Sequence, residues 1–151
     1  MKVSTQYERK FLIDKLPDLS DFKKEEIQQW YLSVPNYIES TRVRLYGDGR
    51  CYVDIIKGFG LIREKYSKKS DWSNFKDKNI DIHPSIKKTR YKKEFNGLLM
   101  CVDIFDNGLQ LVEIESYDNE FKVRNVELPD WFGKEVTDRL SYTNNWLAYS
   151  K

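Results

Sequence analysis

Histidine is nearly missing from this chain: His83, in a turn-like stretch ahead of Pro84, is the only one in 151 residues. Catalysis through a histidine base, or a His-rich zinc site, therefore has almost nothing to work with. Cysteine is almost as scarce. Cys51 and Cys101 each sit in a strand-like apolar stretch with no Cys or His at metal-ligand spacing, so they read as buried thiols in a reducing compartment. Long apolar runs are lacking. No segment approaches the roughly 20 apolar residues that span a bilayer, and residues 1–10 hold no run of signal length. The expectation is a soluble, cytoplasmic protein with no membrane partner. An excess of one charge is lacking too: 26 Lys and Arg against 24 Asp and Glu give a net charge of +2, which points to no nucleic-acid partner. The length suits one hydrophobic core, so residues 1–151 read as a single domain.

What the chain does have is aromatic residues, 15% of the total with ten Tyr, many alternating with polar residues between Gly, Pro, Asn or Asp. That alternation is the signature of strands. Strands are expected over residues 5–12, 27–33, 40–46, 50–56, 62–67, 89–95, 98–105 and 109–117. Gly47-Asp48-Gly49 and Asp106-Asn107-Gly108 make good hairpin turns. Helical pattern is sparser: residues 19–26 after Pro17, parts of 72–78 or 83–87, and a broken stretch over 129–149. Residues 57–93 hold twelve Lys or Arg against four Asp or Glu. Their least periodic part, 68–81, reads as a solvated loop in preference to an RNA- or lipid-contacting segment.

Residues two apart in a strand share a face. Sorted that way, Gln6, Glu8 and Lys10 fall together, as do Arg42 with Arg44, Lys88 with Arg90 and Lys92, and Glu113 with Glu115; Asp103 lies between Val102 and Ile104. One such strand is an ordinary half-exposed strand with its charges in water. Several at once are harder to leave in water, because like charges on one face repel unless something of opposite sign lies between them. A closed barrel with its apolar side outward under the helices puts these charges in a channel. Six cations (Lys10, Arg42, Arg44, Lys57, Lys88, Arg90) then meet four anions (Glu8, Asp103, Glu113, Glu115). Forked cations suit phosphate oxygens, and clustered carboxylates suit Mg²⁺ or Mn²⁺, so a metal-bound polyphosphate satisfies both sets. Lys57 fits awkwardly: it shares parity with Val53 and Ile55, which would turn apolar side chains into the channel unless a bulge intervenes.

At this point the sequence resembles the CYTH domain family, or triphosphate tunnel metalloenzymes, over nearly its whole length. The opening Gln6-Tyr7-Glu8-Arg9-Lys10-Phe11-Leu12 stands where the family has a Glu-x-Glu-x-Lys strand. Arg42-Val43-Arg44, Lys57-Gly58, Lys88-Thr89-Arg90-Tyr91, Val102-Asp103-Ile104-Phe105 and Glu113-Ile114-Glu115 follow in order. The close, with Leu128-Pro129, Trp131, Gly133, Glu135-Val136-Thr137 and Arg139, is similar to small bacterial members.

The resemblance implies an eight-stranded antiparallel tunnel, mainly β within an α+β chain, with helices packed outside. It implies metal-dependent hydrolysis of tripolyphosphate, or of a nucleoside or thiamine triphosphate. Noncatalytic polyphosphate or nucleotide binding, nucleotidyl cyclisation and a homodimer stay open. Phosphate oxygens are expected on Lys10, Arg42, Arg44, Lys57, Lys88 and Arg90, with Lys10, Lys57 and Lys88 catalytic. Mg²⁺ or Mn²⁺ is expected on Glu8, Asp103, Glu113 and Glu115. Glu135, Tyr142 and Asn144 read as structural, and Trp30, Trp72 and Trp146 as core or lid. The chain departs from the family's pattern at Gln6, which replaces an acid. It departs again at Arg63-Glu64-Lys65-Tyr66-Ser67, where Lys and Ser stand in place of carboxylates and Glu64 falls on the opposite face.

Overall fold

A computed structural model describes residues 2–150. The alternating segments form β1 (Lys2–Ile13), β2 (Lys23–Tyr31), β3 (Glu39–Tyr46), β4 (Cys51–Lys57), β5 (Ile62–Ser70), β6 (Ser85–Phe95), β7 (Leu98–Phe105) and β8 (Gln110–Ser116). They pair in the order β5-β4-β3-β2-β6-β7-β8-β1, every described pairing antiparallel, and β5 closes back onto β1. The result is the expected closed eight-stranded antiparallel barrel. Closure leaves the eight strands no long open edge, a standing hazard of exposed sheets.

β1 accomplishes the closure by sharing one edge between two neighbours. Its first half, Lys2 to Tyr7, pairs with β5; beyond that a short ninth strand, β9 (Phe132–Glu135), takes over against Phe11 and Ile13. Its other edge runs along β8 from Tyr7 to Leu12.

Several helical expectations are overturned. The segment 19–26 turns at residues 20 and 21 and then enters β2, whose Lys23 to Trp30 pair with Lys92 to Ser85 of β6. Its charged run looked helical, yet the ladder to β6 on one side and to β3 on the other satisfies its backbone and decides the outcome. Residues 85–87 begin β6, and the 129–149 stretch splits into β9, a 3₁₀ turn (Leu140–Tyr142) and α3 (Asn144–Tyr149). Within 72–78 only one helical turn forms, α1 (Ser73–Lys76). An unanticipated helix, α2 (Glu120–Asn125), starts where the Asn119 side chain accepts from the Lys122 backbone N–H.

Apolar side chains on the outer face pack under these pieces. Phe11, Met100, Val102, Val112, Ile114 and Phe132 form one core, with Val123 of α2 laid across it. Trp30, Val43 and Cys51 form another, covered by residues 71–82, with Trp72 stacked on Trp30 at 4.9 Å. Each large side chain buried there contributes about 1.5–3 kcal/mol, which fits these outer cores, not the charged lumen, as the main hold on the barrel. The inner face is not wholly polar. Tyr31, Ile86, Phe105 and Leu111 point inward at one end and meet Val136 and Ala148, so α3 fills part of that mouth. Among the described residues no helix is long and apolar enough to cross a membrane.

Candidate active site

Register fixes which side chains share the lumen. Lys10 lies opposite Glu113 and Glu8 opposite Glu115; Arg90 lies opposite Asp103 and Arg42 opposite Asp54. All of these but the half-buried Arg90 are buried, as are Gln6, Arg44 and Lys88. They line or flank a cavity of about 140 Å³. So many buried charges need partners, since stranding one costs far more than leaving it in water.

Glu8, Glu113 and Glu115 converge, each offering an oxygen within 4.8 Å of the others. Gln6 Nε2 donates to Glu115 at 2.6 Å and Arg63 donates to Gln6 Oε1 at 2.8 Å, while Arg63 also meets Glu8 at 2.5 Å. Arg90 donates to Glu113 at 3.0 Å, and Lys10 stands 3.5 Å from it. Burial, opposed by Arg63 and reinforced by the charge on Glu113, pushes the Glu8 carboxyl up to about 8. Burial works the same way on Glu113, but Arg90 and Lys10 outweigh it and hold that carboxyl well below the usual range. Near neutral pH, then, Glu8 keeps a proton that it shares with Glu113, and a cation of higher charge could take that proton's place. Three converging oxygens from hard carboxylates fit a small divalent ion.

Asp103, expected beside them, stands apart. Lys88 donates to one of its oxygens at 2.9 Å, and Arg90 donates to both at 2.8 Å. Burial raises its carboxyl and the two cations more than offset this, so it stays ionised. Lys88 also donates to Asn144 Oδ1 at 3.1 Å, which brings a residue read as structural into the lumen. Tyr142 offers its backbone carbonyl to Lys10 at 3.0 Å, and Glu135 binds Arg9 outside, fastening β9 to β1.

Lys57 is not in the lumen. It is exposed on the outer face with Val53 and Ile55, its ammonium 5.0 Å from the Tyr66 ring centroid. The opposite parity of β4 turns Tyr52, Asp54 and Ile56 inward. Asp54, fully buried, accepts from Arg42 at 2.9 Å and from Ser67 at 2.6 Å and sits 3.2 Å from Arg44. It was legible: an Asp between Val53 and Ile55 is inward whenever those two are outward. Arg63 and Lys65 of β5 are inward, and Glu64 is outward against Tyr66 as its parity predicts. Glu25, inward on the misread start of β2, holds Lys92 at 3.0 Å. Trp30 and Trp72 belong to an outer core, and Trp146 is 42% exposed.

Two features of the arrangement invite a ligand. On one wall three carboxylates converge, met by Arg63, Arg90 and Lys10, while Glu8 is pushed toward its protonated form. On the other, the Nε of Arg44 and of Arg63 are buried with no hydrogen-bond partner. Buried donors left open are rare and point to a missing acceptor.

No family model matches the chain. A curated inorganic triphosphatase of Nitrosomonas europaea is 33% identical over 97% of this chain and 98% of its own length. The chain belongs to the inorganic triphosphatase family. A second inorganic triphosphatase, from Acetivibrio thermocellus, is 31% identical over 73% of this chain and 72% of its own. A solved inorganic triphosphatase superposes with a TM-score of 0.70 at 28% identity, covering 97% of this chain and 95% of that one. The same fold extends beyond inorganic triphosphatases to a Vibrio parahaemolyticus protein provisionally assigned as an adenylate cyclase. It has a TM-score of 0.59 at 13% identity and covers 80% of this chain and 81% of that one.

Proposed function

We propose that this chain is a CYTH-type triphosphate tunnel enzyme that hydrolyses inorganic tripolyphosphate in the lumen, with Mg²⁺ or Mn²⁺ held by Glu8, Glu113 and Glu115. The observation that carries this reading is the meeting in one cavity of a converging carboxylate trio, suited to a divalent ion, and buried guanidinium N–H groups short of an acceptor. A metal-bound triphosphate meets both.

Arg42, Arg44 and Arg90 present forked donors to phosphate oxygens, and Lys10 and Lys88 act as point charges on the reacting phosphoryl group. When bound, the divalent ion supplies Lewis-acid polarisation of the phosphoryl oxygens. Asp103 keeps Lys88 and Arg90 aimed, and burial, only partly offset by the Asp103 charge and aided by that of Arg90, pulls the Lys88 ammonium down to about 8. Water adds at a terminal phosphorus, the anhydride P–O bond breaks, and orthophosphate and pyrophosphate leave. Most of the catalysis asked of the protein is alignment and charge neutralisation. Lys57 takes no part.

A binding-only tunnel is the second reading. It is favoured by Gln6, Lys65 and Ser67, inward residues that add no carboxylate. Phosphate release from tripolyphosphate, with and without Mg²⁺ and Mn²⁺ and beside ATP and thiamine triphosphate, separates the two. Metal-dependent release is expected, fastest on tripolyphosphate. Thermal stabilisation by tripolyphosphate without release would leave a binding protein.

A further inference from the structure

Lys65 is used by nothing described so far. It points inward from β5, opposite Ser4 and next to the Asp54 wall, yet among the described residues it has no hydrogen bond and no ion pair within 4.0 Å. Burial and the charges of Arg44 and Arg42, only partly opposed by those of Asp54 and Glu115, push its ammonium down to about 7. Asp54 cannot serve it fully, because that carboxylate is already taken by Arg42, Arg44 and Ser67. A folded protein tolerates such a poorly compensated cation at a cost, and two neighbouring guanidiniums, although paired with Asp54 and Glu8, each keep one donor unused. The Nε groups of Arg44 and Arg63 are buried and open. Lys65 and Arg44 also line the wider cavity at the adjoining mouth, about 470 Å³, whose walls include Lys2 and Arg50 and no carboxylate.

We propose that Lys65, with Arg44 and Arg63, forms a metal-independent subsite for one phosphoryl group. This subsite holds the non-reacting end of the substrate toward the carboxylate-free mouth while the reacting end lies among Glu8, Glu113 and Glu115. The subsite is an oxyanion site of fixed protein cations, so its affinity survives without divalent ions. Ordered along the lumen, the two halves also give the bound chain a direction. The inference rests on the reading of the lumen as a triphosphate site, but it is tested without turnover.

The test is isothermal titration calorimetry of the full chain with tripolyphosphate and with pyrophosphate in excess EDTA, using sulfate at matched ionic strength as control. Wild type should bind both without metal, and Lys65→Met should weaken both about tenfold, the loss of one charge-assisted contact. Lys65→Arg should stay within about threefold of wild type. In the absence of any ligand, Lys65→Met should melt higher than wild type, because it removes repulsion and no bond; a purely structural lysine would give the opposite sign. If the Met variant is insoluble, Lys65→Gln replaces it. No binding by wild type in EDTA, or equal affinity in the Lys65 variants, overturns the subsite. Metal-dependent hydrolysis alongside that result would leave the triphosphatase reading standing. Metal-free binding without hydrolysis under any metal would do the reverse.

Discussion

The wall built by β1 and β8 and the wall built by β3, β4 and β5 face the same lumen and use the same residue types, yet they are out of balance in opposite directions. On the first, three carboxylates crowd together and one of them must keep a proton. On the second, Arg42, Arg44 and Lys65 surround a single carboxylate, Asp54, held well below its usual range by the two arginines against the opposing effect of burial. Between them lies Asp103, both of whose oxygens are taken by Lys88 and Arg90, with Arg90 reaching on to Glu113. This fully bonded carboxylate therefore reads as the support that holds its two cations in place, and the two unbalanced clusters read as binding surface. A buried pair that is complete asks for nothing, and a buried excess asks for a ligand.

That division can be broken in four ways. The largest effect should come from Asp103: Asp103→Ala leaves the buried Lys88 ammonium without its carboxylate and Arg90 with Glu113 alone, and should cost about 3–5 kcal/mol of folding stability in a denaturant titration. A near-neutral result would mean that Asp103 is not the structural centre of the lumen. Glu113→Gln strikes the acidic wall instead. It should lower metal-dependent phosphate release about a hundredfold, corresponding to several kcal/mol of lost Lewis-acid contribution, while the circular dichroism spectrum is kept. Undiminished turnover would remove the trio from the metal assignment.

The third test is the pH dependence of the metal-free protein. Glu8, raised in the fold to about 8 from an ordinary value of 4.5, binds more proton folded than unfolded, so its stabilising contribution is complete below pH 4.5 and is lost up to about pH 8. Lys65 and Lys88, lowered to about 7 and about 8 from 10.5, act with the opposite sign: stability recovers as pH rises from those values towards 10.5. Stability should thus pass through a minimum near pH 7 to 8, with limbs no steeper than about 1.4 kcal/mol per pH unit per group. Saturating Mg²⁺ should flatten the acid limb, and Glu8→Gln should abolish its Glu8 component. A flat profile between pH 5 and 8 in the wild type would contradict the proton assigned to Glu8. The smallest effect is expected outside the barrel. Lys57→Ala should leave turnover within about twofold, as an exposed substitution away from any site does; a larger loss would return Lys57 to the mechanism.

Much of this was legible in the chain. The like-signed pairs at i and i+2 in β3, β6 and β8, with the polar run Gln6, Glu8 and Lys10 in β1, identify the inner face because a barrel has only two faces, and one misassigned residue does not blur the rest. The rest is decided by other things. The charge of Lys57 favours an inward position in β4, whereas Val53 and Ile55 make that face the outer one and turn Asp54 inward. The start of β2 looked helical because Lys23 to Glu26 are charged and unbranched, and only its two partner strands, distant in sequence, decide otherwise. Helix α2 has six residues and β9 four, too short for any periodicity to emerge. Asp103 joined the metal set on its charge alone; that it is fully engaged by Lys88 and Arg90 is a matter of distance that no spacing reveals.

The pairing of β1 with β8 has a consequence for how the protein is made. Glu8 leaves the ribosome first, and Glu113 and Glu115 follow more than a hundred residues later. At ordinary rates of synthesis that interval is about 5–20 s. During it the nascent chain carries the cations of the later tunnel but none of the finished chelating trio. The carboxylate cluster proposed to hold a divalent ion therefore comes into existence only when the cylinder shuts.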